Sequence, residues 1–325
     1  MSRTEEELEE ELTGEKPRAP QQQSLLAEPA AIPLTLPSKG LLYKNDPRMS
    51  AIDKDGQILV RPITLDDLEL FMMPELVETG TVIDALFNRI IKTNIDPKHL
   101  TVSDRNFIMI YVRAQSYGSE YTFKFNCNNT NCNKVIKKKI DLGELPITYL
   151  DEIHNVKKLK EPFSCKLSMS GATVLYNLSR GINESEAAAD RYKKRLRKEL
   201  EAKAKNSYIV KENGRNIMQN VDPFEEGLTD TKLAEEEERD TLYDILSRNV
   251  VQISRGKEKY SNRSEVEQVL RNMVGGDVSE LQQYMKEADS GIDMDIKVKC
   301  PSCKTMNTFV IPFTESFFRR EVRRS

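Results

Sequence analysis

The sequence of 325 residues has no tryptophan, only two histidines and only five cysteines. His99 and His154 lie in separate polar stretches, and we expect both to be surface residues and not ligands or catalytic bases. No apolar run approaches the roughly 20 residues that cross a bilayer, and no apolar core follows a basic start at the amino terminus. We therefore expect no membrane contact and a protein that stays in the cytosol.

Motifs of enzymes are also missing. No serine lies in a nucleophile elbow, and Gly275-Gly276-Asp277 lacks the lysine and threonine of a phosphate-binding loop. The carboxylates are abundant, but they occur in runs that are typical of solvated helix faces. We expect a protein without catalytic residues and without a small-molecule substrate.

The charge is nearly balanced, with 49 Lys and Arg against 52 Asp and Glu and a net charge of -3. This balance excludes a global basic field of the kind that nucleic-acid-binding proteins carry. Local basic runs occur at residues 137–139, 191–198 and 319–324. We interpret them as solvated faces, with contacts to nucleic acid or to an acidic protein surface as the alternative.

Four of the five cysteines form two close pairs, Cys127 with Cys132 and Cys300 with Cys303. Disulfides are rare in the reducing cytosol, whereas a pair separated by two to four residues can aim both sulfurs at one ion. The pattern predicts a structural Zn²⁺ site with four thiolate ligands. Unmetallated cysteines and a thiol redox centre remain alternatives, although a redox centre would require Cys300 to open a helix.

The cysteine pairs are flanked by segments with the period-two alternation of strands. Residues 121–127 and 135–140 surround the first pair, and residues 292–300 and 308–312 surround the second. Each pair therefore lies in the turn of a hairpin, and the two hairpins form the halves of one zinc ribbon. Another strand is predicted over 163–169, where Cys165 is in phase with apolar residues and is expected to be a small buried hydrophobe.

Helical patterns fill much of the remaining sequence. Thr64 is expected to cap a helix that begins at Leu65, with Asp67 at the third position of a capping box. Apolar spacing and helix formers predict the other helices. These cover residues 82–91, 103–118, 183–206, 231–251, 264–273 and 277–288.

These elements predict an α+β fold, with a small antiparallel sheet, split four-cysteine zinc-ribbon hairpins, an N-terminal helical region and a mostly helical insert between the ribbon halves. Residues 1–30 are expected to be a disordered acidic leader, with a short partner-binding helix as the alternative. The strand-turn and helices then occupy 31–120, the first ribbon half 121–160, the insert 161–290, the second ribbon half 291–318 and a basic tail 319–325.

Four short motifs follow one another along the chain. They are Leu36-Pro37-Ser38-Lys39-Gly40 leading to Tyr43, Arg61-Pro62-Ile63-Thr64, Ser116-Tyr117-Gly118 before the first cysteine pair, and Cys300-Pro301-Ser302-Cys303 followed by residues 311–318. In this order they resemble the baseplate hub assembly proteins of T-even-like contractile-tailed bacteriophages. The resemblance covers residues 32–318, and the acidic leader and the charged stretch around 187–233 depart from it.

The resemblance implies a viral protein made late in infection that helps to build the central hub of the tail baseplate. Its partners would be other baseplate hub and tail proteins, in the host cytoplasm during assembly. The resemblance leaves open whether the chain stays in the virion or leaves as an assembly factor. Two further hypotheses are a cytosolic zinc-ribbon protein that binds nucleic acid and a thiol oxidoreductase.

Overall fold

The computed structural model describes residues 27–132, 134–205, 207–212, 215–220, 242–311, 313 and 315–318. Described residues from Ala31 onward belong to one compact unit. Most of the predicted acidic leader, the predicted basic tail and the first half of the helix predicted over 231–251 lie outside the described residues.

The described elements confirm the predicted α+β class. The helices are α1 (Leu65–Leu68), α2 (Pro74–Glu78), α3 (Val82–Ile90), α4 (Val102–Tyr117), α5 (Leu150–Ile153), α6 (Gly181–Lys205), α7 (242–249), α8 (Arg263–Arg271) and α9 (Gly275–Ala288). The strands are β1 (Ile32–Thr35), β2 (Gln57–Val60), β3 (Glu120–Asn126), β4 (Val135–Asp141), β5 (Ile147–Thr148), β6 (Phe163–Lys166), β7 (Thr173–Tyr176), β8 (Ser207–Glu212), β9 (Arg215–Asn220), β10 (Val250–Arg255), β11 (Glu258–Tyr260), β12 (Gly291–Ile292), β13 (Asp295–Lys299) and β14 (Met306–Val310). None of the described helices has the length and apolar character of a membrane span.

The strands pair into several small antiparallel sheets. Four of the sheets pair strands that are consecutive in sequence, namely β1 with β2, β3 with β4, β8 with β9 and β13 with β14. Strand β5 pairs with the distant β12. The largest described sheet has the order β11-β10-β7-β6. It lies within residues 161–290, so this region combines helices with a four-stranded sheet.

One helix prediction ends in the wrong place. Helix α7 stops at residue 249, and Val250 begins β10, although the helix was expected to continue to Val251. Leu246 and Val250 are four residues apart, which fits a helical stripe, but β-branched residues and the left-handed Gly256 (φ 60°) favour a hairpin into β11.

The main core surrounds α4, which is buried on almost every side along residues 107–112. Leu86, Phe87 and Ile90 of α3 pack into the same core together with the inward residues of β1 and β2. Thr101 caps the start of α4 by accepting a hydrogen bond from the Asp104 N–H, and Gly118 (φ 87°) ends it. The predicted helix over 103–118 is therefore confirmed as the centre of the fold.

A buried carboxylate explains the motif at residues 36–43. Asp104 accepts hydrogen bonds from the N–H of Ser38 (3.0 Å), the hydroxyl of Ser38 (2.5 Å) and the hydroxyl of Tyr43 (2.6 Å). Burial raises the pKa of Asp104, and these donors oppose the rise. Lys39 and Gly40 adopt left-handed backbone between the two donors, so the turn brings both of them to one carboxylate.

The predicted capping box at Thr64 is confirmed and has a further partner. Asp67 Oδ2 accepts from the Thr64 N–H (2.8 Å), and the same carboxylate forms a buried two-pronged ion pair with Arg61 (2.7 and 3.0 Å). Burial raises the pKa of Asp67, but the donors Arg61 and Thr64 outweigh it and lower the pKa overall. Asp67 thus fixes both the helix start and the end of the preceding strand.

A second core forms where α8 and α9 pack on the four-stranded sheet. Val174, Ile253, Leu270 and Leu281 are buried in it, and Cys165 lies among them as a small buried side chain, as expected. Burial raises the pKa of Cys165 to about 11, which keeps it a neutral thiol.

Polar contacts join the two cores. On α6, Ser185 donates to Asp84 (2.5 Å), which also binds Arg105 (2.8 Å). At the end of α9, Asp289 accepts a hydrogen bond from the hydroxyl of Ser103 at the start of α4, while its other oxygen is buried without a hydrogen-bond partner among the described residues. Burial raises the pKa of Asp289 to about 7.

The raised pKa of Asp289 predicts a pH-dependent stability. The folded protein holds this proton up to about pH 7, whereas the unfolded chain releases it near pH 4, so the unfolding free energy falls as pH rises between these values. Asp289→Asn removes the effect. We expect the unfolding free energy of the variant, relative to that of the wild type, to rise by about 2–3 kcal/mol as the pH increases from about 5 to about 8, measured by urea denaturation. Glu287→Gln, an exposed change on the same helix, is the control; an equal gain there contradicts the assignment.

Candidate metal centre

The hairpin of β3 and β4 packs face to face on the hairpin of β13 and β14. The ring of Phe123 stacks on that of Phe309 with centroids 3.9 Å apart, and Phe125 lies against the same ring. Closer to the turns, Ile136 and Val298 are buried beneath the cysteines. Alternation along each strand thus points its apolar residues at the other hairpin and brings the two turns together.

The four sulfurs of the paired cysteines converge between these turns. Cys127 Sγ lies 3.6 Å from Cys303 Sγ, and Cys132 Sγ lies 3.9 Å from Cys300 Sγ. All four sulfurs are within 4.8 Å of one another, and all four residues are free thiols. A tetrahedral ion with metal–sulfur bonds of about 2.3 Å requires sulfurs about 3.8 Å apart. The residues therefore lie close enough to bind one metal ion.

The first turn is held by its own backbone. The N–H of Cys127 donates to the carbonyl of Lys134 (2.9 Å), and the N–H of Cys132 donates to the carbonyl of Asn129 (2.9 Å). The side-chain oxygen of Asn129 accepts from the N–H of Asn131 (3.0 Å). These bonds close the four-residue gap between the cysteines without a glycine, so both sulfurs can face the same point.

The second turn, Cys300-Pro301-Ser302-Cys303, is tighter. The N–H of Cys300 donates to the carbonyl of Thr305 (2.9 Å), and the N–H of Lys304 donates back to the carbonyl of Cys300 (3.1 Å). Lys304 adopts left-handed backbone (φ 63°) to turn the chain into β14. The hydroxyl of Thr305 lies 3.3 Å from Cys303 Sγ. Because Cys300 follows a strand and enters a turn, it does not open a helix as a thiol redox centre would require.

The local donors favour thiolates on the second turn. Hydrogen bonds from the Thr305 hydroxyl and backbone lower the pKa of Cys303 to about 6, and the N–H of Cys303 lowers the pKa of Cys300. The N–H of Asn129 lowers the pKa of Cys127, but burial and the sulfurs of Cys303 and Cys300 outweigh it and raise that pKa to about 11. Four adjacent thiolates repel one another, and a bound cation would reduce this repulsion.

Asn307 links the two turns and was not identified from the sequence. Its side chain is fully buried, its oxygen accepts the N–H of Asn128 (2.8 Å), and its nitrogen donates to the carbonyls of Thr305 (2.9 Å) and Val298 (3.3 Å). The residue therefore joins the first turn to both strands of the second hairpin. A polar residue in the inward phase of β14 was the available signal.

The structure brings Cys127, Cys132, Cys300 and Cys303 together and leaves Cys165 in the second core.

The prediction that His99 lies on the surface is wrong, because its ring is buried and its Nε2 lies 2.8 Å from an Arg48 nitrogen. Burial, followed by the charge of Arg48, lowers the pKa of His99. His154 is half-buried, with Nε2 2.7 Å from the carbonyl of Ala288. The basic run at 137–139 is exposed on β4, and 319–324 lies outside the described residues.

The comparison with protein families identifies a match over most of the chain. A family model described as T4 bacteriophage base plate protein matches residues 45–319, a span that includes the four clustered cysteines. The comparisons with curated proteins and with solved structures yield no match.

We predict that Asn307→Ala loosens the metal centre. The change removes the hydrogen bonds from a fully buried side chain to the N–H of Asn128 and to the carbonyls of Thr305 and Val298, so we expect a loss of about 2 kcal/mol in urea denaturation. Metal should also pass faster to a chelator, which separates this effect from a general loss of stability. Asn126→Ala, on the exposed side of β3, is the matched control and should cost less than about 0.5 kcal/mol. Equal effects of the two changes would contradict the role of Asn307.

Proposed function

Because the chain belongs to the T4 bacteriophage base plate protein family, we propose that it is a non-enzymatic component or assembly factor of the baseplate hub. The match over residues 45–319 supports the baseplate part of this proposal, since it covers the second core, the cysteine cluster and most of the main core. The chain is made late in infection and acts in the host cytoplasm during assembly. Its partners are other proteins of the baseplate hub and tail.

A structural role agrees with the chemistry of the metal centre. Four thiolate ligands fill a tetrahedral coordination sphere, so no position stays open for a substrate or a reactive water. Among the described residues, His99 is paired with Arg48, and His154 contacts the end of α9. Neither histidine belongs to the cysteine cluster.

We propose that the ion is Zn²⁺, with Cys127, Cys132, Cys300 and Cys303 as its ligands. Zinc is redox-inactive and accepts a tetrahedral thiolate set, which suits a site whose purpose is to join two hairpins. The sulfur spacings of 3.6 and 3.9 Å support this assignment. Bound zinc would offset half of the charge of the four thiolates and hold the two turns at a fixed distance.

Metal analysis tests the zinc proposal. Protein purified in reducing buffer should contain one zinc ion per chain, as measured by inductively coupled plasma mass spectrometry. Cys300→Ser should lose most of the zinc and unfold at a lower temperature, because a structural zinc site contributes several kcal/mol. Cys165→Ser is the control and should keep the full zinc content, since Cys165 lies in the second core. Iron in place of zinc, or full zinc content in Cys300→Ser, would overturn the assignment.

The baseplate proposal is tested in the virus. Disrupting the gene should give infected cells without complete baseplates, and supplying the wild-type chain should restore them. Quantitative mass spectrometry of purified virions beside isolated hub intermediates distinguishes the two forms of the proposal. A component is found in both samples, whereas an assembly factor is found only in the intermediates. Normal baseplates in the absence of the chain would refute both.

A further inference from the structure

An exposed surface of acidic and apolar residues runs along α1 and α2. Leu65 is 77% exposed and Met72 is 68% exposed. Neighbouring exposed apolar side chains of this size are typical of a binding surface. We call this region the acidic surface. Its members are Leu65, Asp66, Glu69, Met72, Met73, Glu75, Val77 and Glu78.

The helical geometry explains why these residues face outward. Helix α1 continues into a short 3₁₀ helix, Glu69–Met72, and Leu70 enters the main core while Phe71 packs against Phe318 (5.1 Å between ring centroids). Leu65, Glu69 and Met72 have the spacing i, i+4 and i+7 and share the opposite side. The same turn that buries Leu70 therefore exposes a stripe in which Glu69 lies between two large apolar side chains.

Acidic side chains predominate around this stripe. No lysine or arginine occurs from residue 62 to residue 88. Arg89 donates to the backbone carbonyl of Asp66, and Arg195 lies 3.9 Å from Glu78. Glu69 and Glu75 are exposed and form no ion pair with the other described residues. The acidic surface consequently suits a partner that is both apolar and basic.

The outward side of the β13–β14 hairpin has the complementary chemistry. We call it the lysine face. Lys299 lies opposite Met306, and Lys297 lies opposite Thr308, with Val310 at the end of the same side. Met306 is 59% exposed and Val310 is 55% exposed.

The two lysines of this face are free to bind an acidic partner. Lys297 and Lys299 are exposed and form no ion pair with the other residues that the structure describes. The one carboxylate on the same side, Asp295, is bound by Lys286 (3.0 Å). Both surfaces thus carry exposed apolar side chains, and the charges of the lysine face are opposite in sign to those of the acidic surface.

We propose that the acidic surface of one copy of this chain binds the lysine face of a second copy. The first copy then keeps its lysine face unused and the second copy keeps its acidic surface unused, so the contact is head-to-tail and propagates until a ring closes or a filament grows. The inference goes beyond the proposed function, because it is argued from the residues of these two surfaces and not from zinc or baseplate membership.

Sedimentation velocity of the full chain tests the proposal. Wild-type protein should self-associate at about 0.05 M salt and dissociate at about 0.5 M, where the Debye length falls to about 4 Å. The variants Glu69→Lys/Glu75→Lys and Lys297→Glu/Lys299→Glu should each be monomeric at low salt. Mixed in equal amounts they should associate again, because each variant supplies the surface that the other has lost.

Two control variants change charge equally elsewhere. Glu144→Lys/Glu265→Lys and Lys257→Glu/Lys259→Glu alter exposed residues outside both surfaces and should associate like the wild type. Circular dichroism and zinc content should be unchanged in all four variants, which excludes misfolding. A wild-type chain that stays monomeric at low salt, control variants that also dissociate, or a mixture that stays monomeric would each overturn the proposal.

Discussion

The fold depends on one long-range contact, the face-to-face packing of two hairpins that are separated by more than 150 residues of chain. Phe123 and Phe309 form its apolar base, and Asn307 and the four cysteines form its end. Closing a chain segment of this length costs roughly 4–5 kcal/mol plus a constant in conformational entropy. Structural zinc contributes about 10–16 kcal/mol in small peptides, so the proposed ion offsets that cost with an excess. Everything between the hairpins is then held in a closed loop, which limits where the second core can lie.

Buried carboxylates fix the elements that precede the first hairpin. Asp104 holds the turn at residues 36–43 against α4, Asp67 holds Arg61, and Asp84 joins Arg105 to α6. Each of these groups is costly to bury, and each is satisfied by donors from a different segment. A shifted helix would leave a buried charge unpaired, so the carboxylates specify one arrangement of segments whose apolar faces alone would tolerate several.

The parts of this structure that follow from local pattern were predictable. The alternation around both cysteine pairs placed their turns in hairpins, and the apolar spacing over 103–118 identified the central helix. The parts that depend on distant partners were not. Asn307 and His99 are polar residues whose burial is decided by Asn128 and Arg48, far away in sequence. Strand β10 shares its apolar spacing with a helix, and its pairing with β7 and β11 decides between them.

The cysteine cluster and the lysine face are parts of the same hairpin, and this links the metal to the surface. Beneath the cysteines the buried apolar contacts are few, mainly Ile136 and Val298, so packing alone holds the turn weakly. The turn from Cys300 to Cys303 sets the register in which Lys299 opposes Met306. An ion that fixes both sulfurs of this turn therefore also fixes the outward residues beside it. The proposed ion would thus keep an exposed two-stranded surface in one shape for the proposed partner copy.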